Sequence, residues 1–251
     1  MKLEANKLEN INRDKYIPST KLEAKDLPSQ GVFYPKNFTM KYYPYTFGEV
    51  KKISQSSYSI LDRYSFILSG IETNFDKLDI TVLDLIYIGI LRNLSTFGTK
   101  KIKVIYTCKE CGEENDAAVN LSDLEFQDLT KEEQYPIKAE LSTGVFYLQP
   151  LTLRMYYELF NNNLLEDEIA IIAMQCLDFS KENLEEEFTN NYNKLVLSSL
   201  EDIDKLRELN KKLFHGLKET DLKCSKCQTI NKVEIDGGDG DVLVTPFRES
   251  K

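Results

Sequence analysis

The chain has 251 residues, of which 41 % are hydrophobic and 29 % are charged, so its composition permits a sizeable core and a soluble surface. Its 32 basic and 41 acidic residues give a formal net charge of −9, which argues against nucleic acid or an anionic membrane as partners. No apolar run approaches the roughly 20 residues of a membrane-spanning helix, and the polar residues 1–6 do not resemble a secretory signal, so we expect folding in the cytoplasm.

Residues 1–30 are rich in Lys, Glu, Asn and Asp, and their few apolar residues are too widely spaced to build a core. We therefore predict an N-terminal arm over residues 1–30. Two interpretations are open at this point: a flexible tail, or a segment that becomes ordered on a partner.

Residues 31–120 are predicted to form a first half of mixed strands and helices. Thr46 and Glu49 have the spacing of a capping box, which predicts that a helix begins there. Residues 80–94 are apolar around most of a helical circumference, so we predict a buried helix that ends at Gly98. The other elements expected in this half are a strand at residues 38–43, a helix at 60–71, and strands at 101–107 and 116–120.

Residues 121–236 are predicted to form a second half, and residues 237–251 a C-terminal tail. Strands are expected at 137–141 and 145–148, helices at 153–160, 166–177 and 203–217, partly helical chain at 179–200, and a last strand through Val233 and Ile235. The apolar residues 242–247 of the tail could pack in the core or add a strand to a partner.

The second half resembles the first. Gln149-Pro150-Leu151-Thr152-Leu153 is similar to Tyr43-Pro44-Tyr45-Thr46-Phe47, and in each case a strand runs into Pro-x-Thr before a helix. A Cys-x-x-Cys pair and a strand follow in both halves at similar intervals. This pattern predicts an ancestral duplication. The alternative is that the Pro-x-Thr helix starts match by chance, since such starts are common.

The two Cys-x-x-Cys pairs predict one structural zinc ion bound by Cys108, Cys111, Cys224 and Cys227. Each pair lies between predicted strands, as in a zinc ribbon, although the interval between the pairs is far longer than the ~15–20 residues of a compact ribbon. Similar halves could nevertheless bring the two turns together. We therefore predict an α+β fold of two related halves joined by this bipartite zinc-ribbon-like site. The alternatives are two redox dithiols or cysteines without a role.

The sequence contains no pattern that favours an enzyme. His215, the single histidine, lies near a predicted helix C-terminus, where a positive imidazole suits the helix dipole. Cys176 lies in an apolar stretch and is predicted to be a core residue. Residues 236–241 are acidic and glycine-rich but lack the closing Glu of an EF-hand, which favours a solvated loop over a calcium site.

Three motifs taken together resemble the baseplate hub subunit and hub assembly proteins of T4-like contractile-tail phages. The motifs are Leu27-Pro28-Ser29-x-Gly31-x-Phe33-Tyr34-Pro35, Tyr43-Pro44-Tyr45-Thr46-Phe47-Gly48-Glu49 and Cys108-x-x-Cys111-Gly112. The resemblance covers residues 27–120 by motif and the rest by length and layout. The length of the chain is closer to that of the hub assembly member.

The resemblance implies a chaperone-like protein-binding role in building the central hub of the tail baseplate. Its partners would be other hub proteins, with self-association also open, and no catalytic residues would be involved. The protein would act in the host cytoplasm during assembly. The alternatives are a permanent structural subunit of the baseplate in the virion, and a zinc-ribbon regulator that binds nucleic acid.

Overall fold

The computed structural model describes residues 13–54, 59–98, 101–129, 134–179 and 181–235. These residues form a mixed α and β structure, as expected from the sequence. The helices are α1 (Phe47–Ser54), α2 (Ile60–Ser69), α3 (Val82–Phe97), α4 (Leu153–Asn161), α5 (Glu168–Gln175), α6 (Leu184–Val196) and α7 (Leu200–Lys211). The strands are β1 (Thr20–Leu22), β2 (Met40–Tyr42), β3 (Ile71–Thr73), β4 (Lys101–Thr107), β5 (Glu114–Asn120), β6 (Ile137–Leu141), β7 (Gly144–Leu148), β8 (Thr220–Lys223) and β9 (Ile230–Val233).

All strand pairs among the described residues are antiparallel and belong to small sheets. Strands β1, β2 and β3 form one three-stranded sheet in that order, and β4–β5, β6–β7 and β8–β9 are separate hairpins. The β4–β5 hairpin has seven residue pairs, whereas β8–β9 has four. The two predicted cysteine turns connect β4 to β5 and β8 to β9, so the fold places each turn at the end of a hairpin.

Helix α3 is the centre of the largest core cluster, which confirms the buried helix predicted from its apolar circumference. Thr81 caps its start by accepting a hydrogen bond from the Asp84 backbone N–H at 3.2 Å. Gly98 ends it in the positive-φ region at +70°. The same cluster includes Leu153 and Ile235, so the two predicted halves share this core.

The starts of α3 and α4 are joined directly by backbone hydrogen bonds. The Val82 N–H donates to the Leu151 carbonyl at 2.9 Å, and the Leu153 N–H donates to the Ile80 carbonyl at 3.0 Å. The predicted helix starts at the two Pro-x-Thr sequences are confirmed. Thr46 and Glu49 exchange capping bonds of 2.7 and 3.2 Å, and the Thr152 hydroxyl accepts from the Met155 N–H at 3.4 Å.

Arg92 of α3 is fully buried and organises the Tyr43–Glu49 motif. Its Nε donates to the Tyr43 carbonyl at 2.7 Å, and its guanidinium lies 4.0 Å from the centre of the Tyr45 ring. Its Nη2 lies 3.4 Å from the Glu49 carboxylate. A Cβ added at Gly70 would lie 2.0 Å from this guanidinium, so the glycine leaves room for the buried charge.

Asp84 of α3 organises the Leu27–Pro35 motif in a similar way. It is fully buried and accepts from the Ser29 N–H at 3.1 Å and from the Tyr34 hydroxyl at 2.5 Å. Burial raises the pKa of Tyr34 well above its ordinary value, and the Asp84 charge adds to this rise. The motif therefore serves the interior of the protein, because a buried carboxylate needs such donors.

His215 completes this buried polar group and corrects the prediction of a histidine at a helix C-terminus. It is fully buried beyond the end of α7, with Nε2 3.0 Å from the Thr81 hydroxyl and Nδ1 2.8 Å from the Leu213 carbonyl. Helix α7 ends at Lys211, earlier than predicted, because the following chain pairs with residues 125–127. There the Gln127 N–H donates to the Gly216 carbonyl at 2.9 Å.

Part of the predicted N-terminal arm belongs to the folded structure. Strand β1 pairs with β2, with Leu22 opposite Met40, and Leu27 is 1 % exposed. The described residues 13–30 therefore pack with the first half, because their few apolar side chains find partners supplied by distant parts of the chain. Residues 1–12, the acidic residues 236–241 and the apolar tail at 242–247 lie outside the described residues. Among those that are described, no helix has the length and apolarity needed to cross a membrane.

Candidate metal centre

The first cysteine turn closes the β4–β5 hairpin. The Cys108 N–H donates to the Glu113 carbonyl at 2.8 Å, and the Gly112 N–H donates to the Cys108 carbonyl at 2.9 Å. This closure needs a positive φ directly after Cys111, and Gly112 supplies it at +71° without the steric cost that a Cβ brings.

The second turn repeats this geometry in the β8–β9 hairpin. The Cys224 N–H donates to the Thr229 carbonyl at 2.9 Å, and the Gln228 N–H donates to the Cys224 carbonyl at 3.1 Å. Gln228 has a φ of +66°, which is unusual for a residue with a side chain. The two turns therefore share one backbone design although only one of them has the glycine that suits it.

The four thiols predicted as ligands lie together. Cys108 Sγ is 3.6 Å from Cys227 Sγ, and Cys111 Sγ is 3.7 Å from Cys224 Sγ. All four sulfur atoms lie within 4.8 Å of one another. Thiolates about 2.3 Å from a tetrahedral metal lie about 3.8 Å apart, so the donor set and its spacing fit such an ion. The four cysteines could hold a metal ion.

Backbone amides favour the thiolate form at the first cysteine of each turn. The pKa of Cys108 is lowered, chiefly because its sulfur accepts a hydrogen bond from the Cys111 backbone N–H. Burial acts in the opposite direction, and the Glu110 N–H lowers the pKa further. Hydrogen bonds from the backbone N–H groups of Cys227 and Lys226 lower the pKa of Cys224 to about 6. At Cys111 the Glu113 N–H acts in the same sense, but burial and the neighbouring thiols raise the pKa to about 12. Four thiols this close cannot all ionise without a cation among them.

Two residues of this centre were not predicted from the sequence. Asn115 and Asn231 are 5 % and 3 % exposed, and their side-chain amides donate to Cys224 Sγ at 3.6 Å and to Cys108 Sγ at 3.5 Å. Each asparagine is the seventh residue after the first cysteine of its own turn. This shared position, Cys-x-x-Cys-x-x-x-Asn, is the sequence signal that could have identified them.

Two further side chains lie in the field of the thiols. Lys226 is 2.9 Å from the Glu113 carboxylate, which raises the pKa of Lys226, and the Cys111 and Cys224 charges contribute less. The pKa of Tyr106 is raised, first by burial and then by the negative charges of Cys224, Cys108 and Cys227. The buried Tyr106 hydroxyl has no hydrogen-bond partner among the described residues.

Cys176, the fifth cysteine, is separate from the four. It belongs to the core cluster formed with β6, β7 and α7, as predicted for a core residue. Burial raises its pKa to about 12.

The comparisons with known proteins identify the family. The family described as T4 bacteriophage base plate protein matches residues 18–239, a span that contains all four cysteines of the candidate centre and both asparagines. Searches of curated proteins and of solved structures give no match. Because the family match extends over most of the sequence, the chain belongs to the T4 bacteriophage base plate protein family.

Proposed function

We propose that this protein is an assembly factor for the central hub of the phage tail baseplate, and that it acts by binding other hub proteins. Membership of the base plate protein family supports a role in the phage baseplate. A binding role rather than catalysis is supported by the candidate centre itself. Four cysteine ligands would complete a tetrahedral shell and leave no open position for a substrate or water.

The observation that carries the binding role is a group of exposed apolar side chains at the turn between α6 and α7. Leu197 is 79 % exposed and Leu200 is 83 % exposed, and Val196 is also exposed. We call these three residues the leucine corner. Large apolar side chains grouped on an exposed turn are typical of protein contact sites.

The leucine corner is held in place by polar bonds to the β6–β7 turn. The Ser198 hydroxyl lies 2.7 Å from the Thr143 hydroxyl, and the Asp202 carboxylate accepts from the Ser142 N–H at 3.2 Å. A fixed turn presents its leucines at low entropic cost, which favours binding by a preformed surface. The Leu27–Pro35 segment is less suited to this role because Leu27, Ser29 and Tyr34 are buried.

The rival within the same family is a permanent structural subunit of the baseplate. Quantitative mass spectrometry of mature particles of the parent phage separates the two functions. An assembly factor is required for infectious particles but is absent from them. A fixed copy number per tail would overturn the assembly role and establish the structural one.

The leucine corner is tested by the double variant Leu197→Ser and Leu200→Ser. We expect loss of hub assembly in complementation, with an unchanged melting temperature because both side chains are exposed. Ile105→Ser is the matched control, since Ile105 is also an exposed apolar residue but lies on β4. Normal assembly with the double variant would exclude the corner as the contact site.

We further propose that the metal is one zinc ion that joins the two halves, and that the halves arose by duplication. The equivalent hydrogen bonds of the two cysteine turns support both proposals. A metal that connects such distant parts of the chain would restrict the unfolded state strongly, which is a structural use of zinc.

A further inference from the structure

The asparagines beside the thiols are bonded first within their own turns. The Asn115 amide nitrogen donates to the Glu113 carbonyl at 2.9 Å, and the Asn231 amide nitrogen donates to the Thr229 carbonyl at 3.1 Å. Those two carbonyls also accept the N–H of Cys108 and of Cys224 respectively. Each asparagine is thus fixed to the backbone that closes its own turn.

Each asparagine also reaches across to the opposite turn. The Asn115 side-chain oxygen accepts from the Ser225 N–H at 2.8 Å and from the Ser225 hydroxyl at 2.9 Å. The Asn231 side-chain oxygen accepts from the Lys109 N–H at 3.0 Å. Ser225 and Lys109 are both the residue directly after the first cysteine of a pair. The two asparagines therefore make the same contact in opposite directions.

The hydrogen bonds from the two asparagines to sulfur also cross from one turn to the other. Asn115 belongs to the first turn but donates to Cys224 of the second, and Asn231 belongs to the second turn but donates to Cys108 of the first. A hydrogen bond to sulfur stabilises the thiolate over the thiol. The bond to the neighbouring backbone N–H fixes the orientation of the turn that carries the sulfur.

We propose that Asn115 and Asn231 are reciprocal positioning residues of the metal centre, each of which orients the cysteines of the opposite turn. Neither turn has its complete set of hydrogen bonds until the other has docked. Metal binding and docking of the two cysteine turns are then one concerted event. This inference rests on the proposal that the four cysteines bind zinc, and it adds how the site is assembled.

The test measures zinc affinity by competition with a chromogenic chelator, with the full chain and the variants Asn115→Ala and Asn231→Ala. Each variant is expected to bind zinc about 10- to 100-fold more weakly, the usual effect of removing a group that orients a ligand. The control is Asn120→Ala, which removes an asparagine of the same strand whose amide bonds to Asp123. The control is expected to retain the affinity of the parent chain.

Aspartate variants separate positioning from simple stability. In Asn231→Asp the carboxylate still accepts from Lys109, but the donor to Cys108 is replaced by a negative charge. The same change removes the donor to the Thr229 carbonyl, so the melting temperature of the metal-free protein measures the purely structural part of the loss. Zinc affinity is expected to fall by more than that loss of stability accounts for. The cobalt-loaded protein should also show a shifted sulfur-to-metal charge-transfer band. If an alanine variant does not fold, the aspartate variant of that position decides the matter.

Two failures can be distinguished. Unchanged zinc affinity in both alanine variants, or in the aspartate variant that replaces an unfolded one, would overturn the role of the asparagines and leave the metal site intact. If the parent chain binds neither zinc nor cobalt, the metal centre and this inference fail together. Because the effects share one assembly step, the double alanine variant should lose less affinity than the product of the two single losses.

Discussion

The two cysteine turns have the same closing hydrogen bonds but different support from the rest of the chain. The first closes a hairpin of seven residue pairs, and Ile102 and Val104 of that hairpin are buried in the core. The second closes a hairpin of four pairs in which Leu222 and Val233 are only partly buried and Ile230 is exposed. The first turn is therefore supported by its own hairpin, whereas the second depends more on contacts with the first.

The residue that directly follows the second cysteine of each pair also shows that the first turn is supported locally and the second is not. Gly112 adopts its φ of +71° at no steric cost, whereas Gln228 holds a φ of +66° despite its side chain. The bonds from Ser225 of this second turn to Asn115 of the first turn offset the strain. A backbone conformation can thus be selected by local residue choice in one copy of a turn and by tertiary contacts in the other.

The largest expected effect comes from removing a cysteine from either turn. If one ion is shared, Cys108→Ser and Cys224→Ser should each abolish stoichiometric zinc binding. With free zinc at a hundred times its Kd, each would lose about 2.7 kcal/mol of metal-linked stability. Zinc content by atomic absorption and urea unfolding with and without a chelator measure both quantities.

The double cysteine variant decides whether the turns act together. For a shared site its stability should equal that of either single variant, because the ion is already lost. Additive losses, with half of the metal retained in each single variant, would instead indicate two independent sites. Cys176→Ala is the matched control and should keep its zinc, since Cys176 lies in a different core cluster.

An intermediate effect is expected at the positive-φ position. Gln228→Gly should raise the free energy of unfolding by about 1 kcal/mol, because glycine adopts this conformation without strain. Gly112→Ala should lower it by about 1 kcal/mol. No heavy atom of the described residues lies within 4 Å of a Cβ added at Gly112, so this cost is conformational rather than steric.

Chemical denaturation of these variants in the presence of zinc gives both values. Gln228→Asn provides a graded control, since asparagine tolerates positive φ better than glutamine. A neutral or destabilising effect of Gln228→Gly would contradict net strain in the second turn. The hydrogen bond from the Gln228 side chain to the Ser225 carbonyl would then contribute at least as much stability as the positive φ costs.

The smallest effect is expected from the ion pair that connects the turns, Lys226 with Glu113 at 2.9 Å. Lys226→Met should change the free energy of unfolding by less than either Gln228→Gly or Gly112→Ala, because both charges are largely exposed to water. Salt should remove the difference between variant and parent, since the screening length falls to about 3 Å at 1 M ionic strength. Thermal unfolding at low and high salt makes the comparison.

The pH dependence of this pair has a defined sign. Glu113 raises the pKa of Lys226 in the folded protein, so the contribution to stability is present below the unfolded value of about 10.4 and is lost as the pH rises through the folded value. A difference between parent and Lys226→Met that persists in 1 M salt, or above that pH range, would show that the lysine acts through packing of its stem.

Much of the local structure was predictable because it depends on neighbouring residues. Three features follow from side-chain hydrogen bonds and apolar periodicity within a few residues. They are the helix starts at Thr46 and Thr152, the buried helix that ends at Gly98, and the hairpins around the cysteine pairs. The arm was harder to predict, because β1 is only three residues long and is stable only beside β2.

The sequence by itself determined the donor set of the candidate centre, since two Cys-x-x-Cys pairs can place two thiols at each of two hairpin turns. Only the tertiary structure decided that the two turns meet, that Asn115 and Asn231 reach across between them, and that His215 lies buried beside Thr81. These contacts join residues more than a hundred positions apart. The physical reason is that local spacing fixes which groups a turn presents, whereas the partner of each group is fixed by the packing of the whole core around α3.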